Sequence, residues 1–192
     1  MQKNYVRCLF LVASLLLLCL AVLAGVYTAE YFSVKKDEKS VLPELSTASI
    51  EDFFAMRLDD HQGKSQKIAQ WQGKILVLNF WASWCPPCRE EMPGFARVQT
   101  KYAAQGVQFL GIALDEAQQV RAFAERYPVN YPLLIGGDLL GVDLARRFGN
   151  SSLSLPYTVI LNAAGTPIFK RLGRLSEVEL EDLLRLELQT VR

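Results

Sequence analysis

Two cysteines, Cys85 and Cys88, lie within the segment Asn79–Pro93, NFWASWCPPCREEMP, and their spacing indicates redox chemistry. An apolar run, Ile75–Phe80, leads into the pair, and apolar residues at helical spacing follow it. Cys85 is then expected at the start of a helix, where unpaired N–H groups and the helix dipole favour a thiolate. A thiolate attacks disulfides, and a cysteine one turn later can resolve the mixed disulfide. We therefore expect a redox-active dithiol.

The residues around the cysteines support a redox pair over other cysteine sites. Pro86 and Pro87 suit a first helical turn, because their φ is already near-helical and their missing N–H groups would be unpaired there. A structural zinc site needs four ligands, and the other cysteines, Cys8 and Cys19, lie in a separate hydrophobic run. A c-type haem needs histidine where Arg89 stands. An inert structural disulfide that closes so short a loop would add little stability through chain entropy.

Strand and helix patterns alternate after Ile50, which predicts an α/β domain with a mixed central sheet flanked by helices. The strand-like segments are Phe53–Leu58, Ile75–Phe80, Val107–Leu114, Leu133–Ile135, Tyr157–Leu161 and Pro167–Arg171, the last two forming a hairpin. Four helical patterns lie between or after these strands. The first follows Cys88, the second covers Glu116–Tyr127, the third includes Leu140, Leu144 and Phe148, and the last begins with a capping box at Ser176–Glu179. The fold therefore positions the cysteines between a buried strand and a helix.

The N-terminal segment, residues 1–29, is predicted to be a membrane anchor. Lys3 and Arg7 precede 22 residues without formal charge, from Cys8 to Ala29. As a helix this run would rise about 33 Å, enough for a hydrocarbon core of about 30 Å. The basic residues in front predict a cytoplasmic N-terminus and an exported domain. A cleaved signal peptide is the alternative, but the apolar run exceeds the usual signal length.

Residues 30–49 contain KKDEK and small polar residues, and we interpret them as a linker to a domain at residues 50–192. The 192-residue chain has 21 basic and 20 acidic residues, which offers no electrostatic case for nucleic-acid binding. The two cysteines of the anchor are expected to be ordinary membrane-helix residues.

Three motifs together resemble those of a known family. FWASWCPPC, CREEMP and the later SLPYTVIL are similar to the motifs of TlpA-like, membrane-anchored thiol-disulfide reductases, which include reductases of cytochrome c maturation. The resemblance covers about Ser49–Leu188 and implies a thioredoxin-like fold, which the predicted order of elements also matches. Where cytosolic thioredoxin has a buried aspartate, this chain has Asn79, and the family's acid falls on Glu91.

The resemblance also implies roles for residues around the dithiol. Pro156 is expected to be cis and to lie against the cysteines, and the free backbone of Leu155 would pair with a substrate strand. Trp84, with Pro86 and Pro87, is expected to form the docking surface. Glu91 shares a helix face with Cys88, so a desolvated carboxyl there could pass a proton to or from that thiol. The alternative for Glu91 is a solvated helix glutamate.

The predicted function is reduction of disulfides in exported partner proteins, at the outer face of a bacterial cytoplasmic membrane, without a cofactor. The resemblance suggests apocytochrome c or another redox protein as substrate, and a membrane electron donor to recharge the dithiol. An oxidase or isomerase using the same residues remains an alternative. A copper-binding module is a second, although copper usually needs a third soft or imidazole ligand, and the domain has no further cysteine and only His61 to add.

Overall fold

The computed structural model of the protein describes residues 47–137 and 139–190. The predicted anchor, its two cysteines and the linker up to residue 46 lie outside the described residues. Within the described part of the chain, no helix is long and apolar enough to cross a membrane. The first described helix begins at Thr47, ahead of the domain start predicted at Ile50.

Helices and strands alternate along most of the described chain. In order they are α1 (Thr47–Ala55), β1 (Arg57–Asp59), β2 (Ser65–Lys67), β3 (Ile75–Trp81), α2 (Pro86–Tyr102), β4 (Val107–Ala113), α3 (Ala117–Arg126), β5 (Leu133–Ile135), α4 (Leu140–Arg147), β6 (Tyr157–Leu161), β7 (Pro167–Leu172) and α5 (Glu177–Thr190). The capping box is formed, since the Ser176 hydroxyl accepts from the Glu179 N–H and donates to the Glu179 carboxylate.

A five-stranded mixed sheet, in the order β5-β4-β3-β6-β7, forms the centre of the domain. Strands β3, β4 and β5 are parallel, whereas β6 runs antiparallel to β3 and pairs with β7 as the predicted hairpin. All seven residues of β3 are buried, as expected for a central strand with both faces covered. The predicted α/β architecture with a mixed sheet is confirmed.

Two apolar cores lie on opposite faces of this sheet. Apolar residues of α2, α3 and α5 pack on the face that carries Val77 and Trp81 of β3. Residues of α1 and α4 pack on the other face, with Leu76, Leu78 and Phe80. Because α2 begins directly beyond the loop that follows β3, this packing fixes where the cysteines lie.

The prediction of a strand over Phe53–Leu58 is wrong in its first half. Phe53 and Phe54 belong to α1, and the strand begins only at Arg57. Both rings are buried, while their neighbours Glu51 and Asp52 are exposed. Adjacent buried aromatic residues do not fit the alternation of a half-buried strand, and here they fit a helix end packed against the sheet.

Candidate active site

Cys85 and Cys88 are joined by a disulfide, with their Cα atoms 5.4 Å apart. Cys85 is the N-cap residue of α2, and Pro86 and Pro87 form the start of its first turn. The Cys85 carbonyl accepts the hydrogen bond that closes the first turn of α2, from the Arg89 N–H. The pair therefore lies where the sequence predicted it, at the positive end of a helix dipole.

The two cysteines differ only slightly in exposure. Cys85 is only 4% exposed, whereas Cys88 is fully buried. The helix packs Cys88 into the core beside the sheet, and Cys85 alone reaches the surface. A partner protein can therefore approach the disulfide only from the Cys85 side.

Glu91 is a buried residue of α2, on the side of this helix that faces the sheet. Its Oε1 accepts from Asn79 Nδ2 at 2.8 Å, and its Oε2 accepts from the Leu175 N–H at 3.0 Å. Burial raises the pKa of Glu91 from 4.5 to about 7, and the two hydrogen bonds and the Arg174 charge offset only part of this effect. Glu91 therefore has a proton affinity suited to acid–base chemistry near neutral pH.

Asn79 and Thr158 complete a small polar group inside an apolar core. The two residues face each other across β3 and β6, and Asn79 Nδ2 also lies 3.3 Å from Thr158 Oγ1. The amide therefore supports the Glu91 carboxylate without adding a second buried charge. The sequence marked Asn79 as a departure from thioredoxin, but it gave no sign of Thr158 or of the Leu175 backbone, because both arrive through tertiary packing.

Asp115 fixes the loop between β3 and the first cysteine, a role that the sequence did not reveal. Its Oδ2 accepts from the Ser83 N–H at 2.8 Å and from the Ser83 hydroxyl at 2.5 Å. The only sequence signal was its place at the end of a buried strand next to the strand that leads to Cys85. Because parallel strands end at the same edge of a sheet, the carboxylate reaches that loop.

Trp84 is a large, exposed side chain next to the dithiol. It is 67% exposed, directly before the buried Cys85, and the neighbouring Pro86 is also exposed. A shallow cleft of about 420 Å³ adjoins the indole, and it is lined by Ser83, Trp84, Leu114, Asp115, Glu116 and Gln119. Trp81, in contrast, is fully buried.

The peptide bond between Leu155 and Pro156 is cis, as the resemblance implied. Pro156 directly precedes Tyr157, which pairs with Phe80 near the end of β3, so this bond lies at the same edge of the sheet as the cysteine loop. Within the described chain, neither the N–H nor the C=O of Leu155 has a hydrogen-bond partner. A free backbone segment therefore lies at the same end of the domain as the dithiol.

The loop before the cis bond is held by Asn150, a buried residue that the sequence did not single out. Its Nδ2 donates to the Ser154 carbonyl at 2.9 Å. Leu153, between them, has a left-handed φ of 53°, a conformation that costs a leucine on the order of 1–2 kcal/mol.

Metal-ligand clusters offer no competing site, because no group of three or more His, Cys, Asp or Glu side chains in residues 47–137 and 139–190 is placed to hold a metal ion.

Relatives of this chain are found both by sequence and by structure. Residues 50–166 match the model of the AhpC/TSA family. The chain is 30% identical over 188 residues to the thiol-disulfide oxidoreductase ResA of Bacillus thuringiensis subsp. konkukian, covering 96% of this chain and 98% of that protein. It is 34% identical to the thioredoxin-like protein YneN of Bacillus subtilis, covering 65% of this chain and 72% of YneN. A thioredoxin-related protein from Neisseria meningitidis serogroup B superposes with a TM-score of 0.61 at 27% identity, covering 68% of this chain and 97% of that one.

Proposed function

We propose a reductive role for this protein, which belongs to the AhpC/TSA family and is a thiol-disulfide oxidoreductase. The observation that carries the proposal is the buried Glu91 carboxyl, whose pKa of about 7 suits it to take a proton from Cys88. A reductant needs this step, because the second thiol must become a thiolate before it can resolve the mixed disulfide. The TlpA-like resemblance supports the same direction.

The reaction begins with the Cys85 thiolate, which the start of α2 stabilises. It attacks one sulfur of a partner's disulfide, a mixed disulfide forms, and the other partner sulfur leaves as a thiolate. Glu91 then accepts the Cys88 proton, and the Cys88 thiolate attacks the Cys85 sulfur. The partner's remaining sulfur leaves as a thiolate, so the partner gains two electrons and the protein is left with the Cys85–Cys88 disulfide.

The partner is bound, in this proposal, by the surface around Trp84 and by the edge at Leu155. The exposed indole beside a nearly buried Cys85 supports an apolar contact with the partner. The Leu155 backbone, which has no hydrogen-bond partner in the described part of the chain, supports pairing with an extended segment of the partner, as in strand addition at a sheet edge. Pro86, exposed at the helix start, would line the same surface.

The direction of electron flow is tested by the redox potential of the Cys85/Cys88 couple in glutathione buffers. A reductant is expected near ~ −200 to −270 mV, whereas a strong oxidant lies near about −120 mV. The expected companion result is catalysis of insulin reduction by dithiothreitol. A potential near the oxidant value, together with a cellular pool that stays oxidised whether or not membrane electron donors are present, would identify an oxidase.

The location proposed for this activity is the outer face of the bacterial cytoplasmic membrane, with residues 1–29 as a single anchor. The uncharged run after Lys3 and Arg7 supports this placement. The substrates would then be exported proteins with disulfides, such as apocytochrome c, and a membrane carrier would return electrons to the dithiol. Mass spectrometry of the purified protein is expected to find a start near Met1; a mature start at Gly25 would show cleavage instead.

A further inference from the structure

The carboxyl ends of three parallel strands lie at one edge of the sheet. Strands β3, β4 and β5 are adjacent and parallel, so the loops that follow them leave the sheet at the same edge. The loop after β3 leads to Trp84 and Cys85, and Leu114 directly follows β4. The loop after β5 leads to α4, which begins at Leu140. The dithiol therefore shares this edge with the start of α4.

Two large apolar side chains at the start of α4 are uncovered. Leu139 is 86% exposed and Leu140 is 43% exposed. Leu140 lies one turn before Leu144 and therefore on the same face of the helix, and Leu144 is buried in the core on the α4 side of the sheet. The apolar stripe of α4 thus continues past the edge of the sheet, where the described part of the chain covers it only partly.

Leu114 links the start of α4 to the dithiol region. It is partly buried against the core on the α4 side, and it lines the cleft of about 420 Å³ together with Trp84. It also lies against α4, because a Cβ added to Gly141 would come within 2.6 Å of a Leu114 methyl. The Gly141 N–H donates to the Gly136 carbonyl, and the Gly136 N–H donates to the Ala113 carbonyl. The missing side chain at Gly141 therefore allows α4 to begin directly beside the end of β4.

Four apolar side chains thus lie along this edge and form what we call the apolar rim: Trp84, Leu114, Leu139 and Leu140. The cleft joins Trp84 to Leu114, and the contact of Leu114 with α4 continues the rim to the two leucines at the start of that helix. The rim begins beside Cys85, passes the end of β4 and reaches the loop after β5. It therefore extends away from the dithiol on the side opposite to the Leu155 edge, since β4 and β6 flank β3.

The partner protein is the molecule that must cover this surface during the reaction. Cys85 is only 4% exposed, so a partner that exchanges a disulfide with it must lie close against the surface next to it. The rim is continuous with that surface through Trp84. An apolar side chain of the partner that packs on the rim would leave water together with the rim leucines, and this burial is favourable in proportion to the apolar area removed from water.

The strand spacing sets how far from the partner's cysteine this contact lies. Neighbouring strands are about 4.8 Å apart, so the step from β3 to β5 is about 10 Å, and an extended chain rises about 3.3 Å per residue. We propose that the apolar rim binds an apolar side chain of the partner, about three to four residues from the reacting cysteine. This inference rests on the proposed function in its use of Cys85 as the attacking group, but it holds for either direction of electron flow.

Two short peptides test the rim, each with one cysteine and each used as its disulfide-linked dimer. In the first peptide, leucines stand three residues before and three residues after the cysteine; in the second, serines replace both leucines. The measurement is the rate constant for reduction of each dimer by the reduced, full-length protein. The leucine peptide is expected to react about tenfold faster, because part of a leucine side chain is buried on the rim. Equal rates for the two peptides overturn the proposal.

Substitutions in the rim show where the leucine binds. Combining Leu139→Ser with Leu140→Ala is expected to reduce the tenfold preference to about twofold or less. Residue 139 is the N-cap of α4, where serine is favoured, so the fold tolerates this change. Leu186→Ser is the matched control, because that leucine is 64% exposed on α5, outside the rim, and this variant is expected to keep the preference. A preference that survives in the combined variant overturns the proposal.

The peptide preference and the direction of electron flow are separate results. The oxidised protein is expected to show the same preference with the reduced peptides, because the same contact forms in the mixed disulfide. A redox potential near the oxidant value would therefore refute the reductive role and leave the preference in place. Equal rates for the two peptides, measured on a protein with a reducing potential, would refute the rim and leave the reductive role in place.

Discussion

Glu91→Gln is the substitution that tests the site most directly, because it keeps the shape of the side chain and removes its titration. The pKa of Glu91 is raised by burial from 4.5 to about 7. Between these two values the unfolded chain releases the proton while the folded protein keeps it, so the free energy of unfolding falls as pH rises. The loss of stability that comes from ionising the buried carboxyl is absent below pH 4.5 and complete above about pH 7. At 1.36 kcal/mol per pH unit, the full penalty is about 3 kcal/mol.

The glutamine variant escapes this penalty and keeps most of the local hydrogen bonds. Its carbonyl can accept from the Leu175 N–H, and its amide can donate to Asn79 Oδ1, which has no partner among the described residues, once the Asn79 amide turns over. The stability of Glu91→Gln relative to wild type is therefore expected to rise by about 3 kcal/mol between pH 4.5 and pH 8. Urea unfolding of the oxidised proteins at several pH values measures this change.

The turnover of Glu91→Gln, in contrast to its stability, is expected to fall. Loss of a general acid or base typically slows a reaction ~100-fold or more, so Glu91→Gln should be more stable at pH 8 and a much poorer reductant. Glu90→Gln is the matched control, because Glu90 is exposed and, among the described residues, pairs with Arg174 at the surface, where such pairs contribute about 0–1 kcal/mol. A stability difference that does not change with pH, or unaltered turnover in Glu91→Gln, would refute the assignment.

Three further predictions concern the cysteines and the loop before them. Cys88→Ser should accumulate mixed disulfides with partners on non-reducing gels, whereas Cys85→Ser should not; rapid alkylation of Cys88 before Cys85 in the reduced protein would reverse the assignment. Asp115→Ala should lower stability by about 1–3 kcal/mol in urea unfolding, because the Ser83 N–H and hydroxyl both lose their acceptor. Ser83→Ala should cost less, since Asp115 then keeps the backbone N–H, and an equal cost would contradict that reasoning.

The sequence predicted best those features that depend on neighbours along the chain. The strand before the cysteines, the helix start at Cys85 and the hairpin after Pro156 all follow from local patterns, and the structure contains each of them. The short run after Phe53 failed because adjacent aromatic residues suit a helix end as well as a strand, and only packing against the sheet decides between them.

The parts of the site that the sequence missed come from distant residues. Asp115 reaches Ser83 because two parallel strands end together, and Leu175 reaches Glu91 across a separation of 84 residues. Neither backbone N–H groups nor a single threonine in a strand carries a sequence signal for such contacts. Asn79 was noticed only by its difference from thioredoxin, and its orientation depends on Thr158, the facing residue of β6.

The energetics of Glu91 argue that it is kept for chemistry and not for stability. A burial penalty of about 3 kcal/mol at pH 8 is a large share of the 5–15 kcal/mol that stabilises a typical domain. Its two hydrogen bonds do not recover that loss, since the pKa remains near 7 after both are made. An uncharged glutamine would keep the Leu175 bond, could donate to a turned Asn79 amide, and would avoid the penalty. A titrating acid therefore benefits this core only if a proton must be accepted and released beside Cys88, as the proposed reductive cycle requires.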